Sequence, residues 1–172
     1  MGIDRVKAVR IVGIDPGSRV TGYGIIECVG NRQRVIAYGR IRTDAGELPQ
    51  RLLQIQQELA AVLREHRPDE AAVEQVFVKR NVAAAIVLGQ ARGVAICTVA
   101  AAGVKLAEYA PAQIKSAVTG NGRAEKHQIQ QMVKIILKLA EAPATDAADA
   151  LAIALCHAHR RGTAAALARA LA

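Results

Sequence analysis

Four carboxylates differ from the other acidic residues of this chain in their apolar surroundings. Asp15 ends one apolar run, Glu74 lies inside a second, and Asp146 and Asp149 begin a third. An ionised carboxylate among buried apolar neighbours is unstable unless something compensates for its charge. A pair of hard divalent cations would compensate all four, and such cations catalyse reactions of phosphate esters. The pattern therefore favours metal-ion catalysis on phosphate over binding of a small molecule.

Asp146 and Asp149 also have a simpler explanation. They are spaced i, i+3 at the predicted start of a helix, where acidic residues commonly cap the helix and complement its dipole. Asp15 and Glu74 cannot be helix caps, because Asp15 directly follows a predicted strand and Glu74 lies within one. Strand ends and a helix start can converge on one point, where two bridged metal ions would activate water and stabilise a leaving 3′-oxygen.

Hydrophobic periodicity predicts the elements that must position these residues. Strands are predicted at 8–14, 20–28, 35–42, 71–76 and 105–109, and helices at 48–66, 81–102, 111–118, 125–139 and 145–161. This order predicts an α/β fold in one domain, with a mixed five-stranded sheet, an initial antiparallel meander and helices on both faces. Gly162 is the expected C-cap of the last helix, and the Ala-rich tail 163–172 has no predicted order.

Composition restricts the partners and the compartment. The net charge is +8 and the sequence pI about 9.9, which favours a polyanionic partner. The three cysteines have no C-x-x-C spacing and are interpreted as reduced thiols, and we identify no signal peptide, so a cytoplasmic protein is expected.

The predicted helix 81–102 is apolar nearly all round. Gln90 and Arg92 at its centre argue against a membrane span, because a central Arg is unstable in lipid. A helix that is apolar on every side must be covered on every side. It is either a fully enclosed core helix or a homodimer contact, where Gly89 and Gly93 would allow close backbone approach.

Several side chains are candidates for contact with nucleic acid. Phe77, the only Phe, precedes the basic pair Lys79–Arg80 and could stack on an unpaired base, or it could close the end of its strand within the core. Lys115, Arg123 and Lys126 flank a glycine-containing loop. Lys126 gains nothing from the dipole at a helix N-terminus, so a phosphate contact would explain it; a solvated surface lysine is the alternative.

The segment 15–24 is open to another interpretation. A strand, an Asp, a glycine turn and a returning strand also form the phosphate loop of actin-like ATPases and sugar kinases. Those proteins enclose the nucleotide with two such domains, whereas this chain has room for one and no second Gly-rich loop.

Four motifs resemble the RuvC family of Holliday junction resolvases, bacterial crossover-junction endonucleases with a ribonuclease H-like fold. They are Gly13–Ser18 with Gly22–Gly24, Glu74–Phe77, Leu88–Val94 and Asp146–Ala150, within a resemblance that covers roughly residues 10–161. The resemblance implies that the four carboxylates are the family's metal-binding catalytic tetrad. It also implies a base-stacking role for Phe77 and DNA-binding lysines at Lys115 and Lys126.

The resemblance further implies a homodimer that works with a branch-migration helicase complex and nicks two strands of like polarity. We therefore predict a Mg²⁺-dependent endonuclease, with two ions per active site and Mn²⁺ able to substitute, that resolves four-way DNA junctions and leaves 5′-phosphates. The alternatives are a nuclease of the same fold that acts on other DNA or on RNA, a junction-binding scaffold without turnover, and a single-domain remnant of an actin-like nucleotide binder.

Overall fold

The fold is built on a mixed sheet of five strands with helices on both faces, as predicted. The computed structural model describes residues 7–44, 46–76 and 81–171. The strands are β1 (Val9–Asp15), β2 (Val20–Val29), β3 (Arg32–Arg42), β4 (Glu70–Glu74) and β5 (Lys105–Tyr109). The helices are α1 (Leu48–His66), α2 (Val82–Ala101), α3 (Pro111–Thr119), α4 (Lys126–Ile136) and α5 (Thr145–Ala170).

The strands lie in the order β3-β2-β1-β4-β5. The first three pair antiparallel, which confirms the predicted meander, whereas β4 and β5 run parallel to β1. Each face of the sheet has its own core. Val12, Ile14 and their neighbours pack against α1 and α2, and Ile11, Ile26 and their neighbours pack against α3, α4 and α5.

Helix α5 lies unusually close to the sheet, because glycines line its path. A Cβ atom on Gly13 would overlap the carbonyl oxygen of Ala150, and a Cβ atom on Gly22 would overlap that of Asp146. Only glycine permits such an approach between two backbones. The first turn of α5 is therefore held over β2, next to the end of β1.

The sequence prediction was wrong about the end of the last helix. Gly162 was expected to end α5, but the helix continues to Ala170 and so includes most of the Ala-rich tail. A glycine inside a helix costs only about 1 kcal/mol relative to alanine. The alanines that follow Gly162 have the highest helix propensity of any residue type, and they carry the helix onward.

Other boundaries differ from prediction by a few residues. Strand β4 ends at Glu74 rather than at Val76, although the Gln75 N–H still donates to the Tyr109 carbonyl oxygen at 2.8 Å. Strand β3 begins at Arg32, earlier than expected. Helix α4 ends at Ile136, and Lys138 follows with a φ of 53°, a left-handed conformation that does not continue a helix.

Helix α2 is covered on one side only. Ala91, Ala95 and Val99 are buried, whereas Ile86 is 58% exposed. By length and composition α2 could cross a membrane. Arg92, however, donates from Nε to the Glu74 carbonyl oxygen at 3.0 Å, which ties the helix to the end of β4.

Candidate active site

Asp15 and Glu74 are the last residues of two adjacent parallel strands. The β1–β4 register ends with Ile14 beside Val73, so the two carboxylates follow side by side at the carboxyl ends of β1 and β4. Both residues are half-buried. Their side chains point to the face covered by α5, because Ile11 and Ala72, an even number of residues earlier, pack in the core on that face.

Helix α5 brings the other two carboxylates to this point. Asp146 lies in its first turn and Asp149 one turn later. The N-cap position is Ala144, and it makes no side-chain cap hydrogen bond. Neither Asp therefore caps the helix, although Asp146 still complements the helix dipole.

A cavity of about 160 Å³ lies at this junction of strands and helices. Three of the four predicted carboxylates line it, and so do two of the three basic residues that flank the glycine-containing loop: Asp15, Glu74, Asp149, Lys115 and Lys126. Its remaining walls are mainly apolar, from α3, α4 and α5. Asp146 is not among the lining residues, but its charge acts on Asp15.

Burial and mutual repulsion make the carboxylates hard to ionise. Burial, followed by the charges of Asp149, Glu74 and Asp146, raises the pKa of Asp15 to about 7. Burial, with the neighbouring charge of Asp149, also raises the pKa of Glu74. The pKa of Asp149 is raised by burial, and Lys126 partly offsets this effect.

Lys126 already pairs with one of these carboxylates. Its Nζ atom lies 3.6 Å from Asp149 Oδ2, and its side chain is 74% exposed. An exposed ammonium of this kind can leave the carboxylate for a nearby phosphate oxygen at small energetic cost. Lys126 is therefore placed to pair either with the Asp149 carboxylate or with a phosphate oxygen.

The donor set fits hard divalent cations. Four carboxylates supply only oxygen ligands, which Mg²⁺ prefers, and a cation would relieve the repulsion that raises the pKa of Asp15. Across residues 7–44, 46–76 and 81–171, no three Asp, Glu, His or Cys side chains stand close enough together to hold a metal ion as they are placed. The carboxylate side chains would therefore have to move together to bind an ion.

Arg92 is a supporting residue whose role the sequence did not reveal. Besides its bond to the Glu74 carbonyl oxygen, it pairs with Glu108 at 2.5 Å, and its side chain is only 18% exposed. It thereby fixes the end of β4 that carries Glu74. The available signal was a single Arg at the centre of an apolar helix, which we used as an argument against a membrane span and as part of the Leu88–Val94 motif, but not as a support for Glu74.

Not every predicted residue is brought to the cavity. Arg123 is exposed and does not line the cavity. Its backbone N–H donates a hydrogen bond to Asn121 Oδ1 at 3.0 Å. Phe77, Lys79 and Arg80 lie outside the described residues. Their predicted contacts with DNA stay predictions.

Comparison with known proteins identifies the family to which this arrangement belongs. The family model described as "Crossover junction endodeoxyribonuclease RuvC" matches residues 11–157. The chain belongs to the RuvC family. The range agrees with the predicted resemblance over residues 10–161, and within this family the enzyme class is an endodeoxyribonuclease.

RuvC proteins of bacteria are similar to this chain over most of their length. Crossover junction endodeoxyribonuclease RuvC of Shewanella piezotolerans is 52% identical over 157 residues, which are 91% of this chain and 91% of that protein. The RuvC of Shewanella pealeana is 54% identical over 149 residues, which are 87% of this chain and 86% of that protein. Nucleases of the RuvC family depend on metal ions.

Solved RuvC structures share the fold. T. thermophilus RuvC in complex with a Holliday junction substrate superposes with a TM-score of 0.85 at 34% identity, covering 91% of this chain and 96% of that one. A second structure of Thermus thermophilus RuvC has a TM-score of 0.79 at 37% identity, covering 90% of this chain and 97% of that one. The predicted ribonuclease H-like fold is therefore confirmed.

Proposed function

We propose that this protein is a Mg²⁺-dependent endonuclease that resolves four-way DNA junctions. The observation that carries the proposal is the cavity that gathers carboxylates from β1, β4 and α5 beside two lysines, in a chain of the RuvC family. A similar protein, T. thermophilus RuvC, has a solved structure with a Holliday junction substrate. The basic net charge of +8 suits a polyanionic substrate.

The carboxylates have the role of metal ligands in this proposal. Asp15, Glu74, Asp146 and Asp149 would hold two Mg²⁺ ions. Bound at this point, such ions supply an activated water and charge stabilisation for the leaving 3′-oxygen. The side chains themselves fix the position of that chemistry, because two of them are anchored on the sheet and two on a helix held against it.

Lys115 and Lys126 would hold the scissile phosphodiester. Both line the carboxylate cavity, and both lower the pKa of Glu74 through their charge. A phosphate that enters the cavity would draw Lys126 away from Asp149, from which it is separated by 3.6 Å. Asp149 would then be free to act as a ligand.

Cleavage of synthetic DNA tests this function directly. We expect Mg²⁺ or Mn²⁺ to support paired nicks in a four-way junction and little cutting of linear duplex or RNA–DNA hybrid. Ca²⁺ should not support cleavage, because its longer bonds and looser geometry do not align water and leaving group. Binding without nicking would indicate a scaffold, preferential cutting of the hybrid would indicate a related nuclease, and full activity in EDTA would exclude a metal mechanism.

We also propose that the enzyme acts as a homodimer through α2. The outward face of this helix exposes Val82 and Ile86, which are 63% and 58% exposed. Among the residues that the structure describes, Gly89 and Gly93 have no atom within 4 Å of the position that a Cβ would occupy, apart from their own helix and chain neighbours. A second α2 could therefore approach these glycines closely, which would give the two active sites that paired nicking requires.

Gly89→Leu is expected to weaken this dimer without unfolding the monomer. The added side chain meets open space in the monomer but would separate two closely packed helices. Sedimentation at micromolar concentration measures the effect. Gly162→Leu is the matched control, since Gly162 is also an exposed helical glycine with open space around it. A Gly89→Leu protein that remains dimeric would place the subunit contact elsewhere.

The remaining predictions extend this proposal. Phe77 would stack on a base opened at the junction, and Lys79, Arg80 and Arg123 would contact the DNA backbone. The protein would act in the bacterial cytoplasm, bound to the nucleoid, together with a branch-migration helicase complex. The chain of residues 1–172 would form a single nuclease domain.

A further inference from the structure

A β-bulge changes which face of the sheet receives the basic side chains of β3. Ile25 pairs with Ala37 and Ile26 with Val35, so Ile36 is an extra residue on β3. Ile36 and Ala37 consequently pack on the same side, in the core beneath α1 and α2. Because side chains alternate along a strand, one inserted residue reverses the face of every residue that follows.

The bulge directs Arg40 and Arg42 to the face that carries the carboxylates. Ile41, between them, is 2% exposed and packs in the core beneath α1 and α2, so its two neighbours point to the opposite face. Without the bulge, the two arginines would point to the side of α1. Tyr38, which is 41% exposed, shares their face.

Arg40 lies in the same row of the sheet as Asp15. Asp15 pairs with Gly22, and Gly22 pairs with Arg40. Neighbouring strands are about 4.8 Å apart, so the Cα atoms of Asp15 and Arg40 are roughly 10 Å apart. Gly22, between them, carries no side chain, and the first turn of α5 with Asp146 lies directly above it.

Neither arginine has a side-chain partner among the described residues that explains its position. Arg40 and Arg42 are exposed, and no carboxylate of the described residues lies within 4.0 Å of either guanidinium group. Arg34, on the same strand but before the bulge, pairs instead with Glu27 at 2.6 Å. Gln54 engages Arg42 only at its backbone carbonyl oxygen.

We propose that Arg40 and Arg42 form a second phosphate-binding wall for the DNA strand that crosses the carboxylates. Lys115 and Lys126 line the cavity on the side of α3 and α4, and the two arginines lie on the other side, beyond α5, on the edge strand. A strand held between the two basic walls would present its backbone to Asp15. This inference rests on the proposed function, and it assigns the arginines to contacts with phosphate rather than with bases.

A double substitution tests the arginine wall. Arg40→Gln with Arg42→Gln removes two charges from the carboxylate face, whereas Arg32→Gln with Arg34→Gln removes two from the opposite face of the same strand. Junction binding is measured in EDTA across a series of KCl concentrations. We expect the first variant to bind several-fold more weakly, with a slope of log K against log[KCl] shallower by ~1.4–1.8, the amount for two lost phosphate contacts. The second variant should keep the wild-type slope.

A conservative variant distinguishes the loss of positive charge from a loss of folding. Arg40→Lys with Arg42→Lys keeps both charges and is expected to restore most of the slope. A wild-type slope in the double Gln variant, or equal losses in the two Gln variants, would overturn the inference. If the wild-type protein does not cut the junction at all, the proposed function fails. A wild-type enzyme that cuts normally, next to a double Gln variant with unchanged binding, refutes only the arginine wall.

Discussion

Asp15→Asn is expected to abolish nicking of a four-way junction while leaving junction binding intact. The substitution keeps the shape of the side chain and removes the charge that would attract a metal ion. Asp15 is the carboxylate on which all the others act, since Asp149, Glu74 and Asp146 all raise its pKa. We expect the nicking rate to fall at least 100-fold, equivalent to ~2.7 kcal/mol in the barrier.

Asp69→Asn is the matched control for that experiment. Asp69 precedes β4, at the opposite end of the sheet from Glu74, and its side chain accepts a hydrogen bond from the Arg10 N–H at 2.8 Å. The control removes the same charge and should retain the wild-type rate. More than about a tenth of wild-type nicking by Asp15→Asn, a loss of less than ~1.4 kcal/mol, would argue against a metal-ligand role. If Asp15→Asn lost junction binding to the same extent as nicking, the role of Asp15 would be in folding or in contact with DNA.

The carboxylates could be predicted because each stands beside a hydrophobic segment. Asp15 ends a strand of Val and Ile, and Glu74 ends a strand of Ala and Val, so their burial follows from local sequence. The convergence of the strand ends then follows from the parallel pairing of β1 and β4, which places their carboxyl ends at the same edge of the sheet. The residues alone left the family open; the resemblance predicted the RuvC family, and the family model over residues 11–157 confirmed it.

The features that sequence did not reveal depend on pairing between distant segments. The bulge at Ile36 is visible only from the β2–β3 register, and it alone determines the face of the sheet to which the Arg40 side chain points. The bond from Arg92 to Glu74 joins a helix to a strand end eighteen residues earlier. A single-sequence pattern encodes the period of each element but not the register between two elements.

Gly162 illustrates a different kind of failure. Glycine is a helix-ending signal when its backbone adopts a positive φ, as Gly120 does after α3 with a φ of 74°. Gly162 is not among the described residues with a positive φ, and α5 passes through it. The residue type was the same in both cases, and the sequence that follows made the difference: a polar turn after Gly120 and a run of alanines after Gly162.

Metal-free protein is expected to lose stability as the pH rises from 5 to 7. The pKa of Asp15 is raised from 3.8 to about 7, first by burial and then by neighbouring carboxylates. The folded state therefore binds a proton more tightly than the unfolded state, and this stabilisation is lost as the pH rises through 7. Asp15 alone would account for about 2 kcal/mol between pH 5 and pH 7.

The other groups whose pKa values are shifted do not oppose this effect within the window. Glu27 and Glu70 have pKa values below the ordinary value of 4.5, so their contributions are already complete at pH 5. Burial raises the pKa of Cys28 and of Cys156 to about 11, well above the window. Glu74 and Asp149, whose pKa values are also raised, act in the same direction as Asp15.

Thermal melting in EDTA across this pH range measures the effect, and Mg²⁺ should reverse it. For a chain of 172 residues, a loss of about 2 kcal/mol lowers Tm by roughly 4–8 °C. Asp15→Asn should flatten the profile and melt above the wild type at pH 8, because it removes the charge that burial and repulsion oppose. Mg²⁺ should raise the Tm of the wild type more at pH 8 than at pH 5, since the ion binds ionised carboxylates and competes with protons. A flat wild-type profile in EDTA, with no stabilisation by Mg²⁺, would mean that the four carboxylates neither repel one another nor share a metal ion.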